Sequence, residues 1–209
     1  MADRHELPPE RLARWLDRWA AAHGPLARTT GDAESVTFTG ADGATVECRP
    51  VIGGLPAGVD VAGLLAHVAR DRVVGVLLVR LGAHAAGVFE GDALVASKVD
   101  RRLVHGRNRA GGQSQRRFER RRAGQARRSL QAAADVAGRL LLPHAAQLDA
   151  VVGGGDRGAV AEVLADRRLA PLAALAVEQI VDVPEPRLEV LQAMPDRFRA
   201  TVVIAREPG

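Results

Sequence analysis

The stretch VVGVLLVRL, residues 73–81, decides the fold that we predict for this chain. It is a continuous apolar run of strand length, which is typical of a central strand covered on both faces. The stretches HAAGVFEGD (84–92) and ALVASKVD (93–100) follow at short spacing, with Glu90-Gly91-Asp92 as the turn between them. Three strands joined this tightly predict an antiparallel meander.

The chain after the meander alternates between helical and strand patterns. A long helix is predicted from about Ser114 to Leu142, where Pro143 ends it. Then come a strand running into glycines (148–156), a helix over 160–167 and two further strands (175–183 and 198–206). Strands that alternate with helices after a meander predict an α/β fold with a mixed central sheet and helices on both faces.

The N-terminal part of the chain has its own pattern. We predict a helix at Pro8–His23, a hairpin of strands Ser35–Thr39 and Thr45–Val51, and a helix at Val61–Arg70 with Asp60 as its N-cap. This helix, hairpin and helix make residues 1–70 a small α+β elaboration. Residues 71–209 then form the larger domain.

Composition excludes several classes of protein and site. The single cysteine, Cys48, cannot form an internal disulfide and fits a reducing compartment. The N-terminus is charged, and no apolar run approaches the roughly 20 residues of a membrane helix, so we expect a soluble cytoplasmic protein, monomeric when free. The six histidines lack metal-ligand spacing, and the glycines at 153–158 lack the Gly-Lys-Ser/Thr ending of a phosphate loop. We therefore predict neither a metal nor a cofactor.

The distribution of charge points to a polyanionic partner. Residues 101–128 hold eleven arginines against one acid, Glu119, whereas the net charge of the whole chain is only +4. The remainder of the chain is therefore net acidic. A basic segment of this density is the electrostatic footprint of a nucleic-acid site.

A glycine-rich loop, residues 105–117, begins this basic segment and has the sequence HGRNRAGGQSQRR. Gly111 and Gly112 permit a close approach of backbone to another surface. Gln113 has a hydrogen-bond donor and an acceptor on one amide, but it cannot take up a proton at neutral pH. Such a residue suits the orientation of a water molecule or the stabilisation of developing charge.

The stretch GGQSQRRFERRR, residues 111–122, resembles the catalytic segment of the eukaryotic and archaeal class-1 peptide-chain release factors. The matching positions are Gly111, Gly112, Gln113, Ser114, Arg117 and Phe118. The resemblance covers residues 73–183, and it implies a fold similar to ribonuclease H. Because nothing like the stop-codon-reading motifs is found in residues 1–70, the chain is most like the stand-alone release-factor-like peptidyl-tRNA hydrolases of ribosome quality control.

The resemblance implies a role for each matched residue. Gln113 would coordinate the attacking water, while Gly111 and Gly112 would let the loop fit the peptidyl transferase centre of the large ribosomal subunit. Some members of the family carry an inserted serine that displaces the glutamine, so Gln115 is a second candidate. Phosphates of ribosomal RNA and of the tRNA acceptor end would be bound by six arginines: Arg107, Arg109, Arg116, Arg117, Arg120 and Arg121.

Two functions follow from these observations. The first is a ribosome-associated peptidyl-tRNA hydrolase that frees nascent chains from stalled ribosomes without reading a stop codon. The second is a non-catalytic module of the same fold that binds ribosomal RNA or tRNA. Gln113 distinguishes them, because a binding module has no need of a glutamine placed between two glycines and a serine.

Overall fold

The computed structural model describes residues 2–80, 82–101 and 114–208, except for the side chains of residues 114–123. Within it the chain forms two compact units. One comprises Met1–Asp71 together with Pro195–Gly209, and the other comprises Arg72–Met194.

The first 71 residues contain four strands and two helices, in the order β1 Ala2–Leu7, α1 Pro9–His23, β2 Leu26–Gly31, β3 Val36–Gly40, β4 Thr45–Pro50 and α2 Val61–Ala69. Residues 72–194 add β5 Val73–Arg80, β6 Ala83–Glu90, β7 Ala93–Arg101, α3 Ser114–Leu141, β8 Ala150–Gly155, α4 Arg157–Leu164, α5 Ala170–Ala173 and α6 Leu188–Gln192. The chain ends with α7 Met194–Phe198 and β9 Thr201–Arg206.

The sheet of the first unit is antiparallel, with strand order β1-β9-β4-β3-β2. Its core forms where α1 and α2 pack on one face, with Leu12, Leu16 and Leu64 of the helices against Phe38 and Val46 of the strands. Trp19 is buried in the same core, so the apolar stripe of α1 packs within the protein.

Most local predictions for the first unit are confirmed. The helix α1, the β3–β4 hairpin and α2 form where expected, and Asp60 caps α2 by accepting a hydrogen bond from the Gly63 amide at 2.7 Å. The sequence pattern did not indicate the strands β1 and β2. The C-terminal strand forms, but it lies between β1 and β4, so residues 195–209 group with the N-terminal unit and not with residues 72–194.

The sheet of the second unit is mixed, as predicted, with strand order β7-β6-β5-β8. The meander β5–β6–β7 is antiparallel, and β8 pairs in parallel with β5. Because β5 and β7 are both antiparallel to β6, the strands β5, β7 and β8 run in the same direction. Arg101, the last residue of β7, therefore lies at the edge where three strands have their carboxyl ends.

Helices cover both faces of this sheet. Leu77, Ala86 and Val88 face a core that contains Ala133 and Ala137 of α3 and Val160 and Val163 of α4. On the opposite face, a Cβ on Gly87 would lie 3.1 Å from Leu191 of α6. Absence of a side chain at Gly87 therefore lets α6 pack close to β6.

Two predictions for the second unit need correction. The stretch 175–183 is not a strand, because it makes two isolated bridges, Val151–Ala176 and Gly154–Val181. Ile180 lies between those bridges and packs over Gly153, where a Cβ would come within 2.8 Å of it. Helix α4 begins earlier than predicted because Asp156 caps it, accepting from the Ala159 amide at 2.9 Å.

Candidate functional site

The predicted catalytic loop falls largely outside the described residues. Gly111, Gly112 and Gln113 lie there, and so do Arg107 and Arg109. The backbone of Gln115, Arg116, Arg117, Arg120 and Arg121 belongs to α3, but the side chains of these five residues are not described. Their predicted roles therefore stay predictions.

The structure describes both ends of the loop. On one side β7 ends at Arg101, and on the other α3 begins at Ser114, so residues 114–117 of the predicted loop belong to this helix. Among the described side chains of α3, the buried ones begin at Ser129 and continue to Leu141. The helix begins at Ser114, which is about 22 Å before Ser129 along the helix axis at about 1.5 Å per residue. A packed C-terminal half thus anchors a helix whose first half carries the arginine cluster.

Three arginines bind one segment of chain, residues 178–185, at the edge of the sheet where β5, β7 and β8 end. Arg80 at the end of β5 donates to Asp182 Oδ1 at 2.8 Å and to the Val183 carbonyl at 2.7 Å. Arg101 Nε lies 3.0 Å from Glu185 Oε1. Arg157 donates to the Glu178 carbonyl at 3.3 Å. The segment 178–185 is therefore tied to the carboxyl ends of β5 and β7 and to the start of α4.

A sharp turn at the same edge joins β8 to α4. Gly155 has φ +97°, a conformation that side chains disfavour, and a Cβ there would overlap the Val79 carbonyl oxygen. The next amide, Asp156 N, donates to that carbonyl at 2.8 Å. Glycine at 155 is thus required by the close approach of this turn to β5.

A buried histidine that the sequence did not single out as functional also lies near this edge. His84 is 1% exposed and sits opposite Asp100 in the β6–β7 ladder, on the face covered by α3. Asp100 is the last residue but one of β7. A lone histidine within an otherwise apolar strand was the signal available in the sequence.

An ion-pair cluster fixes the packed half of α3. The Arg168 guanidinium lies 2.9 Å from Asp135 of α3 and 2.7 Å from Asp166. Hydrogen bonds from Arg168 lower the pKa of Asp166 to about 2, and they also lower the pKa of Asp135. The cluster links α3 to the turn that follows α4, far along the chain from the loop.

Neither a metal centre nor a membrane span is found in the part of the chain that the structure describes. No cluster of three or more His, Cys, Asp or Glu side chains there could hold a metal ion. None of the described helices combines the length and the apolarity that crossing a bilayer requires.

The protein is release-factor-like, as comparison of its sequence with protein families shows. The model of one family, described as "Actinobacteria/chloroflexi VLRF1 release factor", matches residues 72–204. The match covers more than half of the chain, so the chain belongs to this family. No protein with a curated description matches the sequence.

Three solved structures align with the chain, and two of them are proteins of named type. The crystal structure of the archaeal translation termination factor aRF1 aligns with TM-score 0.48 and 16% identity, over 93% of this chain and 64% of that chain. Pelota from Archaeoglobus fulgidus aligns with TM-score 0.32 and 12% identity, over 83% and 52%. A structure described as an archaeal protein gives 0.40 and 18%, over 78% and 52%. The chain thus spans between half and two thirds of their lengths.

Proposed function

We propose that this protein is a ribosome-associated peptidyl-tRNA hydrolase that releases nascent chains from stalled ribosomes without reading a stop codon. The observation that carries the proposal is the match of residues 72–204 to a release-factor family. The Gly-Gly-Gln sequence at 111–113 lies inside that matched range.

The reaction is hydrolysis of the ester between the nascent chain and tRNA. Gln113, through its carboxamide, accepts a hydrogen bond from a water molecule and holds its oxygen against the ester carbonyl carbon. A carbon–oxygen bond to water forms and the bond to the tRNA oxygen breaks. The tRNA oxygen takes a proton from water, so the products are a free peptide carboxyl group and a tRNA hydroxyl group.

The described structure supports delivery of such a loop into a foreign cavity. The loop is held at one end by β7, which is paired with β6 along its length, and at the other by α3. Arginines in the first half of α3 and in the loop neutralise phosphates of the RNA that surrounds this cavity. The ribosome completes the active site, since a glutamine alone supplies no general base.

The decisive experiment uses stalled ribosomes that carry a labelled peptidyl-tRNA. The unaltered protein releases the peptide, and Gln113→Ala lowers the release rate on the order of 10²-fold or more. Gln115→Ala is the matched control, two residues away with the same change in side chain, and it retains most of the activity. Equal release by the unaltered protein and both variants would exclude the mechanism, and a loss confined to Gln115→Ala would move the role to that residue.

The same assay addresses the non-catalytic alternative. A protein that binds ribosomes but leaves the peptidyl-tRNA intact at every concentration would be a binding module.

A further inference from the structure

The sheet of the first unit has a second face, opposite α1 and α2. We call it the open face because its arginines are exposed, although Val202 on the same face is buried. Side chains alternate along each strand, so the buried residues Phe38, Val46 and Val203 define the helix-covered face. Their neighbours Thr37, Thr39, Thr45 and Glu47 belong to the open face, and the strand register assigns the other strands.

One row across the open face contains arginine and threonine side chains and no acid. Thr39 is paired with Arg28 on one side and with Thr45 on the other, and Thr45 is paired with Arg206. Arg28 and Arg206 are both exposed. They are three strands apart, which corresponds to about 14 Å at about 4.8 Å between strands. Guanidinium groups at both ends and hydroxyl groups between them match the donors that bind nucleic-acid phosphates.

A partly buried glutamate organises two arginines beside this row. The side chain of Glu47 is 15% exposed and pairs with Arg49 and, at 3.7 Å, with Arg206. Both arginine side chains remain about half exposed, at 51% and 52%. One carboxylate cannot neutralise two guanidinium groups, so the trio keeps a net positive charge.

A second glutamate, near the β1 edge of the sheet, also pairs with two arginines. Glu6 lies 3.9 Å from Arg4 and 3.4 Å from Arg197. The two arginine side chains are 63% and 41% exposed. Each glutamate of the open face is thus shared between two arginines, and Arg28 adds a further positive charge at the β2 edge.

We propose that the open face binds the phosphate backbone of RNA, as a site separate from the Gly-Gly-Gln loop. The argument is charge complementarity: five arginines against two glutamates, with threonine hydroxyl groups between them. The acidic turn that contains Asp32 and Glu34 bounds the surface beyond β2 and β3. The RNA footprint is therefore centred on β9, β4 and β3. This inference does not depend on the proposed hydrolase activity.

The test measures binding of the full-length protein to a fluorescein-labelled 20-nucleotide oligo(U) over a range of salt concentrations. Arg28→Gln/Arg206→Gln removes the two ends of the row. Arg14→Gln/Arg18→Gln removes two exposed arginines from α1, the helix that packs on the opposite face of the sheet. Both variants lose the same net charge, so general attraction changes equally.

The open-face variant should lose about 10-fold in affinity, and the magnitude of its log–log salt slope should fall by about 1.4, which is two phosphate contacts on single-stranded RNA. The α1 variant should change the slope by much less. Equal slopes for the two variants would overturn the proposal. Displacement of oligo(U) by polyglutamate at equal charge concentration would also overturn it, because the surface would then suit an acidic protein.

A second measurement needs no substitution and so avoids any loss of folding. Ultraviolet crosslinking of oligo(U) to the unaltered protein should give crosslinked peptides from residues 26–31, 36–50 or 201–206. Crosslinks confined to residues 102–128 would overturn the proposal. The peptide-release assay with Gln113→Ala reports separately on the hydrolase, because this substitution leaves the open face intact.

Discussion

Arg80 and Asp182 are 102 residues apart in the chain and form an ion pair with 2.8 Å between Nη2 and Oδ1. Arg80 Nε also donates to the Val183 carbonyl at 2.7 Å. Arg101 and Arg157 bind the same segment, so the chain after β8 is held along the edge at which β5 and β7 end.

The first prediction concerns this edge. Arg80→Ala removes a hydrogen bond to a backbone carbonyl and an exposed ion pair, so we expect a loss of about 1 kcal/mol in the free energy of unfolding. Backbone amides near Val181 should exchange faster with deuterium, because the segment loses an anchor beside its bridge to Gly154. Arg187→Ala is the control, since the described hydrogen bond of Arg187 is to Glu185, only two residues away in the chain. Unchanged exchange at residues 180–184 would show that Arg80 does not hold the segment.

The turn at Gly155 gives the second prediction. Gly155→Ala forces a side chain into φ +97° and against the Val79 carbonyl, so it should destabilise the protein by about 2 kcal/mol or more. Gly158→Ala is the matched control. It lies in α4, where a Cβ comes no nearer than 3.4 Å to Asp156 Oδ1, and it should be neutral or stabilise by up to about 1 kcal/mol. Urea unfolding monitored by circular dichroism measures both, and similar stability of the two variants would contradict this account of the turn.

Local signals in the sequence were sufficient for most individual elements. The apolar run of β5, the short turns of the meander and the N-cap Asp60 are each determined by a few neighbouring residues, and the structure has them as predicted. The helix α3 ends at Leu141, and Pro143 lies in the short 3₁₀ turn that follows it. Such features depend on backbone propensity and apolar periodicity, which are visible in one window of sequence.

Elements whose pairing is distant in sequence could not be placed. The alternation of β9 predicts a strand but does not say which sheet it joins, and its partners β1 and β4 are more than 150 residues earlier. Leu175 to Val183 looks like a strand because its apolar residues cover the sheet, yet Ile180 packs over Gly153 without extending the ladder. The sequence likewise does not show that Arg80 and Arg101 bind residues 178–185, because this contact depends on where the fold places that distant segment.

The third prediction concerns pH. Hydrogen bonds from Arg168 lower the pKa of Asp166 from 3.8 to about 2 in the folded protein. A lowered folded-state pKa stabilises the fold above the unfolded-state value, and this stabilisation is lost as pH falls from about 4 towards 2. Arg168→Gln should therefore be less stable than the unaltered protein at pH 5, and the gap should narrow by pH 3. Urea midpoints at pH 5, 4 and 3 measure it, with the exposed neighbour variant Arg167→Gln as control. If the difference in stability between Arg168→Gln and the unaltered protein does not change with pH, ionisation of Asp166 does not account for the effect of Arg168.

The fourth prediction uses Cys48. Burial in the core of the first unit raises the pKa of its thiol to about 12. The thiolate fraction at pH 8 is then on the order of 10⁻⁴, and the sulfur is shielded as well. Iodoacetamide should leave the native protein unmodified over hours and label it rapidly in 8 M urea, as mass spectrometry would record. Fast labelling without denaturant would mean that the sheet opens locally at β4.

The last prediction concerns the basic loop. If about five arginines of residues 101–128 each neutralise one phosphate of a structured RNA, the log–log salt slope of binding should be about −4. Arg107→Gln/Arg109→Gln should lower its magnitude by about 2. Arg14→Gln/Arg18→Gln carries the same change in net charge on a helix outside the loop and should leave the slope nearly unchanged. Fluorescence anisotropy with a labelled RNA hairpin between 50 and 300 mM salt measures all three proteins. If neither loop arginine affects the slope, phosphate binding belongs to other parts of the surface, and the loop would have to reach the ester without electrostatic guidance.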